Sequence, residues 1–229
     1  MPITTTTLTR AAGVSAVAGG LLFIAVQIGH PHLDATYATT TEFAVRQSMK
    51  IAFAVLSLVG VTGVYLRQVR QAGVLGLIGY LLLGAAFLAL ASVEVMSLVA
   101  LPVLAHIAPA YVNDVLTVGM GGAAVGDVGL FSALNTAAGL ALVGGGLAFG
   151  IAVFRARGLT RWPAALLAVS VVATLAIPVH PQVNPRLFAV PIGVALISLG
   201  VALWWEQRAR TARVAVVPEA ARLDPAGVE

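Results

Sequence analysis

The sequence predicts an all-α protein, a polytopic bundle of six transmembrane helices with both termini cytoplasmic, and three observations carry that prediction. The composition is 59% hydrophobic and only 10% charged, whereas charged residues make up about a quarter of a soluble domain. Apolar runs of about 20 residues recur along the chain, each long enough to cross a hydrocarbon core of roughly 30 Å as a helix. They lack the alternation of a membrane β-barrel strand. Positive charge is also one-sided when alternate loops are compared. One set holds Arg10, Arg67, Arg70, Arg155, Arg157, Arg161 and the arginines after residue 206, and the other holds Arg46, Lys50 and Arg186. Positive charge accumulates on the cytoplasmic side, so the richer set marks the inside.

The spans fall at 11–29, 46–66, 73–101, 131–153, 162–178 and 187–205. The first, AAGVSAVAGGLLFIAVQIGH, follows a single arginine and resembles a signal peptide. It is longer than an ordinary apolar region of that kind and no A-x-A site follows, so it reads as a retained helix. RQVRQAG separates spans two and three, RARGLTRWP spans four and five, and PVHPQVNPR spans five and six. Trp162, Trp204 and Trp205 sit beside the arginine-rich ends, at the headgroup level that indoles prefer. Residues 1–10 form a cytoplasmic N-terminus, 11–205 the membrane domain, and 206–229 a flexible cytoplasmic tail rich in alanine, proline and charge.

The chain has no cysteine. That excludes disulfides, thiolate metal sites, cysteine nucleophiles and covalently attached c-type haem. The pI near 10 reflects arginines at membrane edges, and no nucleic-acid face is evident.

With this orientation all four histidines, His30, His32, His106 and His180, fall on the outer side, together with Asp34, Glu42, Glu94, Asp114 and Asp127. Imidazole and carboxylate suit zinc or another divalent ion. His30-Pro31-His32 is nevertheless an i, i+2 pair in an extended segment, and no H-E-x-x-H spacing occurs. The competing reading is that histidine simply tolerates an interface.

Glu94 is the acid inside an apolar run, roughly 36 Å along the helix from Arg70, and Lys50 stands about 25 Å from Arg67. An ammonium at that depth must snorkel, meet water or pair with a carboxylate. Glu42, Arg46 and Lys50 share one helical face. A Glu94–Arg46 or Glu94–Lys50 pair is therefore expected between spans two and three, with Arg46 closer in depth to Glu94. The connection from His106 to Asp127 lacks positive charge. Pro109 opens a short helix there with Tyr111, Val112, Val115 and Leu116 on its apolar side, before a GMGGAAVGD hinge, in the form of a lid over a pocket. In span four, Gly144, Gly145, Gly146 and Gly150 allow close helix approach, inside the bundle or across a homo-oligomer face. Asn135 and Gln27 are positioned to hydrogen-bond across helices.

An arginine before AAGVSAVAGGLLFIA, a polar outer loop leading into FAVRQSMKIAFAVLSLVGV, and GLAFGIAVFRARGLTRWPAALLAVSVV resemble a bacterial family of six-helix integral membrane proteins of unknown function. The likeness covers residues 10 to about 205. It implies a plasma-membrane location and no established reaction, so it transfers no catalytic residue and no cofactor.

The expectation is an integral membrane protein that binds or senses a small ligand, ion or lipid in an outward-facing polar pocket built from His30, His32, Arg46, Lys50, Glu94, His106 and His180. Two alternatives stay open. A small-solute transporter calls for polar groups at the midplane and broken helices. A membrane enzyme, or a metal or haem protein, calls for convergent outer histidines, with His106 and His180 as paired haem ligands.

Overall fold

The structure is a computed structural model that describes the backbone of residues 4–179 and 185–220 and the side chains of residues 4–176 and 186–206. Helices account for 87% of the described residues, and no strand occurs among them. The helices are α1 (Thr5–Gln27), α2 (Ala35–Ala38), α3 (Thr41–Ile107), α4 (Pro109–Gly119), α5 (Phe131–Ala156), α6 (Arg161–Ala173) and α7 (Ala189–Ala220). Short 3₁₀ turns at Thr174–Val179 and Pro185–Phe188 join α6 to α7. Among the described residues, four helices are long and apolar enough to cross a membrane: Thr5–Gln27, Thr41–Ile107, Phe131–Ala156 and Arg186–Glu206. The chain is thus compatible with an integral membrane protein. Arg161–Ala176 is apolar but shorter.

The 67 residues of α3 are not one rod. Gly73 has φ 59° and ψ −158°, a backbone conformation open essentially to glycine alone. Contacts on either side move apart in step from that point. Tyr65 stacks on Tyr80 at 4.6 Å, Phe53 meets the edge of Phe87 at 5.8 Å, and Lys50 reaches Glu94 at 3.3 Å. The chain therefore doubles back at Gly73 into two antiparallel arms, 41–72 and 74–107.

Small residues set the order in which the rods pack. A Cβ on Gly60 would come within 2.7 Å of the Ala16 Cα, which places the first arm of α3 against α1. On Gly79 it would fall inside the Phe149 backbone, which places the second arm against α5. Gly146 lies against Val171, and Gly150 against Ala164, joining α5 to α6. Gly13 faces Gly200 and Gly20 faces Gly193, so α7 closes back onto α1. With α6 on α7, the rods form a ring in chain order. The span-four glycines Gly145, Gly146 and Gly150 are buried within it.

One end of the ring is clipped by Arg67, which pairs with Glu206 of α7. α7 continues past that edge to Ala220. The other end is capped by a second apolar cluster, in which Val112, Val115, Leu116 and Val118 of α4 pack on Ala38, Phe43 and Leu101. The expected lid helix begins at Pro109, as its sequence requires, but its buried side differs. Tyr111 is exposed and Val118 is buried.

Candidate functional site

The ring surrounds a partly open cavity of about 560 Å³, within the roughly 300–1,000 Å³ typical of small-molecule sites. Every rod contributes to its wall: Phe23 from α1, Phe53 and Phe87 from the arms of α3, Leu142 from α5, Leu167 from α6 and Ile192 from α7. Above this apolar floor lies a belt of polar side chains that includes Gln27, His30, Gln47, Lys50, Glu94, Ser97, Asn135 and Arg186. Leu116, Gly119, Met120 and Gly121 form the cover.

Glu94 is the centre of the belt. Its side chain is 9% exposed, accepts a hydrogen bond from Gln47 Nε2 at 2.5 Å, and lies 3.3 Å from Lys50 Nζ. Gln47 and Lys50 stand on adjacent turns of one arm and Glu94 faces them from the other, so the hairpin at Gly73 assembles the group. A carboxylate in an apolar ring is tolerated only when paired and hydrogen-bonded, and both conditions are met here.

Arg46 does not take the Glu94 partnership that its depth suggested. Its Nε binds Glu42 at 2.9 Å, and its guanidinium donates to the carbonyls of Val26 at 2.9 Å, Ile28 at 3.2 Å and Gly29 at 2.9 Å. These are among the carbonyls that the end of α1 leaves without helical partners, and a cation suits them by hydrogen bond and by helix dipole. Lys50, one turn deeper, is left to meet Glu94.

His30 follows this terminus and lines the cavity. Its Nδ1 sits 3.0 Å from the Pro31 carbonyl, and its own carbonyl accepts from Arg186 Nη1 at 3.1 Å. Burial holds the imidazole below its ordinary 6.5. The Pro31 carbonyl opposes the shift, and the nearby cations Arg186, Lys50 and Arg46 reinforce it. The folded protein thus takes up this proton less readily than the unfolded chain. The stabilisation is complete above about pH 6.5 and is lost as the pH falls below it. In thermal unfolding from neutral pH downward, His30→Gln is expected to flatten the part of the decline that starts near 6.5. An unchanged decline in that range would place its origin elsewhere.

The structure divides the expected site residues. His30, Lys50 and Glu94 line one cavity, with Arg46 behind them. His32 and His106 are exposed, and neither is among the residues lining it. His180 lies outside the described residues. No group of three or more histidine, aspartate or glutamate side chains able to hold a metal occurs among the described residues. Gln47, Ser97 and Arg186 were not singled out by the sequence as members of one site. Gln47 had a legible signal, a polar side chain one turn before Lys50, but nothing in the sequence paired it with Glu94.

The lid is anchored by its own polar groups. Asn113 Oδ1 accepts from Ala35 N at 2.7 Å, Asp114 accepts from the amides of Val125 and Gly126 at 2.9 Å each, and Asn135 donates to the Val118 carbonyl at 3.0 Å. Losing the Asp114 carboxylate strands two loop amides. Asp114→Ala is therefore expected to raise hydrogen exchange at Val125 and Gly126 while leaving the long apolar helices protected. Equal protection in parent and variant would rule out this anchor. Comparison of the chain with models of protein families, with curated proteins and with solved structures finds no match.

Proposed function

We propose that the chain is a multi-pass protein of the cell membrane that binds a small ligand in an outward-facing pocket. Six rods cross the bilayer: α1, the two arms of α3, α5, the shorter α6 with its 3₁₀ extension, and α7. The arginine-rich edge and both termini are cytoplasmic, so the belt and the α4 cover face outward. The observation that carries the reading is the partly open cavity of about 560 Å³, in which a hydrogen-bonded carboxylate and ammonium stand in a polar belt above an apolar floor. A bundle built only for packing fills its interior with side chains.

The topology is tested by reporter insertions at Gly73 and Gly119, which are expected to report opposite compartments; the same compartment for both would sink the orientation. The pocket is tested with a single thiol, since the chain has no cysteine of its own. Ser97 lines the cavity and is 5% exposed. The Ser97→Cys thiol is expected to react with a small membrane-impermeant methanethiosulfonate added outside, and to be protected when Leu142→Trp fills the space. An inert Ser97→Cys thiol alongside a reactive Val125→Cys thiol, at a 99% exposed position, would refute an accessible pocket.

The transporter reading is weaker because the charged groups gather toward one end of the ring. Haem or metal held by several histidines is weaker too, because His32 and His106 lie at the exposed surface while His30 lines the cavity.

A further inference from the structure

Charge, hydrogen-bonding capacity and shape each restrict what the cavity accepts. Its charged lining residues are Lys50, Glu94 and Arg186, and each is already engaged within the protein, Glu94 with Gln47 and Lys50, and Arg186 with the His30 carbonyl. A charged ligand would lose its hydration inside the ring and gain a counter-ion only by breaking one of these contacts. An uncharged head avoids that cost. Ser97, one turn beyond Glu94, lines the cavity, and its hydroxyl has no hydrogen-bond partner among the described residues. Gln47 gives an amide N–H to Glu94, which leaves its carbonyl oxygen able to accept. One ligand hydroxyl answers both groups, accepting from Ser97 and donating to Gln47.

Below this belt the wall is apolar and deep. From Glu94 down to Leu83 the second arm of α3 descends roughly 16 Å, close to half of a hydrocarbon core about 30 Å thick, the depth that one acyl chain fills. The wall is also open at one side. Every buried residue of α5 lies at or beyond Gly145, and its tight glycine contacts with α3 and α6 run through Gly145, Gly146 and Gly150. None of residues 131–144 is buried. Gly139 lines the cavity yet is itself exposed, and a Cβ there would meet nothing within 4 Å. With the rods spanning the bilayer as proposed above, this gap meets lipid chains at the depth of the outer leaflet. The apolar floor is then within reach of a lipid-soluble ligand.

From these features we infer that the pocket takes an uncharged single-chain amphiphile with a hydroxyl head, a fatty alcohol or a monoacylglycerol. The head bonds to Ser97 and Gln47, and the tail lies between Phe53, Phe87, Leu142 and Ile192. The inference rests on the outward-facing pocket proposed above and names its ligand class.

The test uses the full chain in nanodiscs with tritiated hexadecanol, and protein-free nanodiscs give the background from bilayer partitioning. A saturable component is expected, displaced by unlabelled hexadecanol and by 1-palmitoylglycerol, and the tighter of the two identifies the source. Hexadecyl sulfate and hexadecyltrimethylammonium carry the same tail with a negative and a positive head, and each should compete about tenfold less well or worse. Ser97→Ala should weaken hexadecanol binding about fivefold, the scale of one neutral hydrogen bond, and Leu142→Trp should abolish it. The competition series on the parent protein does not depend on either variant folding. If either charged amphiphile competes as well as hexadecanol, the uncharged class is wrong. If Ser97→Ala binds as the parent does, the placement of the head fails. If no saturable component appears while the Ser97→Cys thiol still reacts from outside, the amphiphile assignment fails and the pocket stands. If that thiol is inert as well, both fall.

Discussion

Lys50→Met is expected to lower the stability of the detergent-solubilised protein by about 3–5 kcal/mol, the loss found when one member of a buried ion pair is removed. The variant leaves Glu94, which is 7% exposed, with only the Gln47 amide as a partner. The size of the effect comes from the stranded carboxylate rather than from the attraction that is lost. For that reason Lys50→Met combined with Glu94→Gln should recover most of the loss, because a neutral amide can still bond to Gln47. A single variant as stable as the parent would mean that Lys50 reaches water past the α4 cover and contributes nothing to Glu94. A double variant no better than the single one would show that Lys50 acts through packing of its stem.

A comparable effect is expected from Gly79→Val, by a different cause. Any Cβ at Gly79 overlaps the Phe149 backbone, and main chain cannot rotate aside as a side chain can. Overpacking at a well-filled contact costs typically about 1–3 kcal/mol, and a β-branched residue against backbone belongs at the upper end. The second arm of α3 would have to separate from α5, which opens the ring beside the cavity. Gly139→Ala is the control, since the added methyl meets nothing within 4 Å. It should be neutral or stabilising by up to about 1 kcal/mol through helix propensity. Thermal unfolding followed by tryptophan emission separates the two. A Gly79→Val protein that melts with the parent would show that the contact between α3 and α5 is looser than the structure places it.

Much of the local architecture was legible in the residues. Apolar run length marked the long helices, and glycine with flanking arginines marked the reversal at Gly73. Pro109 marked the start of α4. Helix edges were less accurate where a local cap or turn sets them. α1 begins at Thr5, capped by Thr4, ahead of the expected residue 11. The fifth segment leaves the α-helix at Ala173 for a 3₁₀ turn, although its apolar run continues.

What the sequence alone determined is the all-helical character, the apolar helices long enough to cross a membrane, and the need to compensate Lys50 and Glu94. These follow from composition, from run length and from the free energy of a charge in an apolar medium, none of which depends on which helices are neighbours. The tertiary structure decided the partners. Depth along the helix favoured Arg46 for Glu94, yet the unpaired carbonyls at the end of α1 take the Arg46 guanidinium, and Lys50 with Gln47 takes the carboxylate. A one-sided inventory of histidines could not separate convergence from coincidence either, because rotation about each helix axis leaves the side of the membrane unchanged. His30 turns inward beside Arg186, while His32 and His106 turn out. The ring itself depends on close contacts such as Gly20 with Gly193 and Gly79 with Phe149. Glycine signals that a close approach is possible, and only the fold shows which backbone makes it.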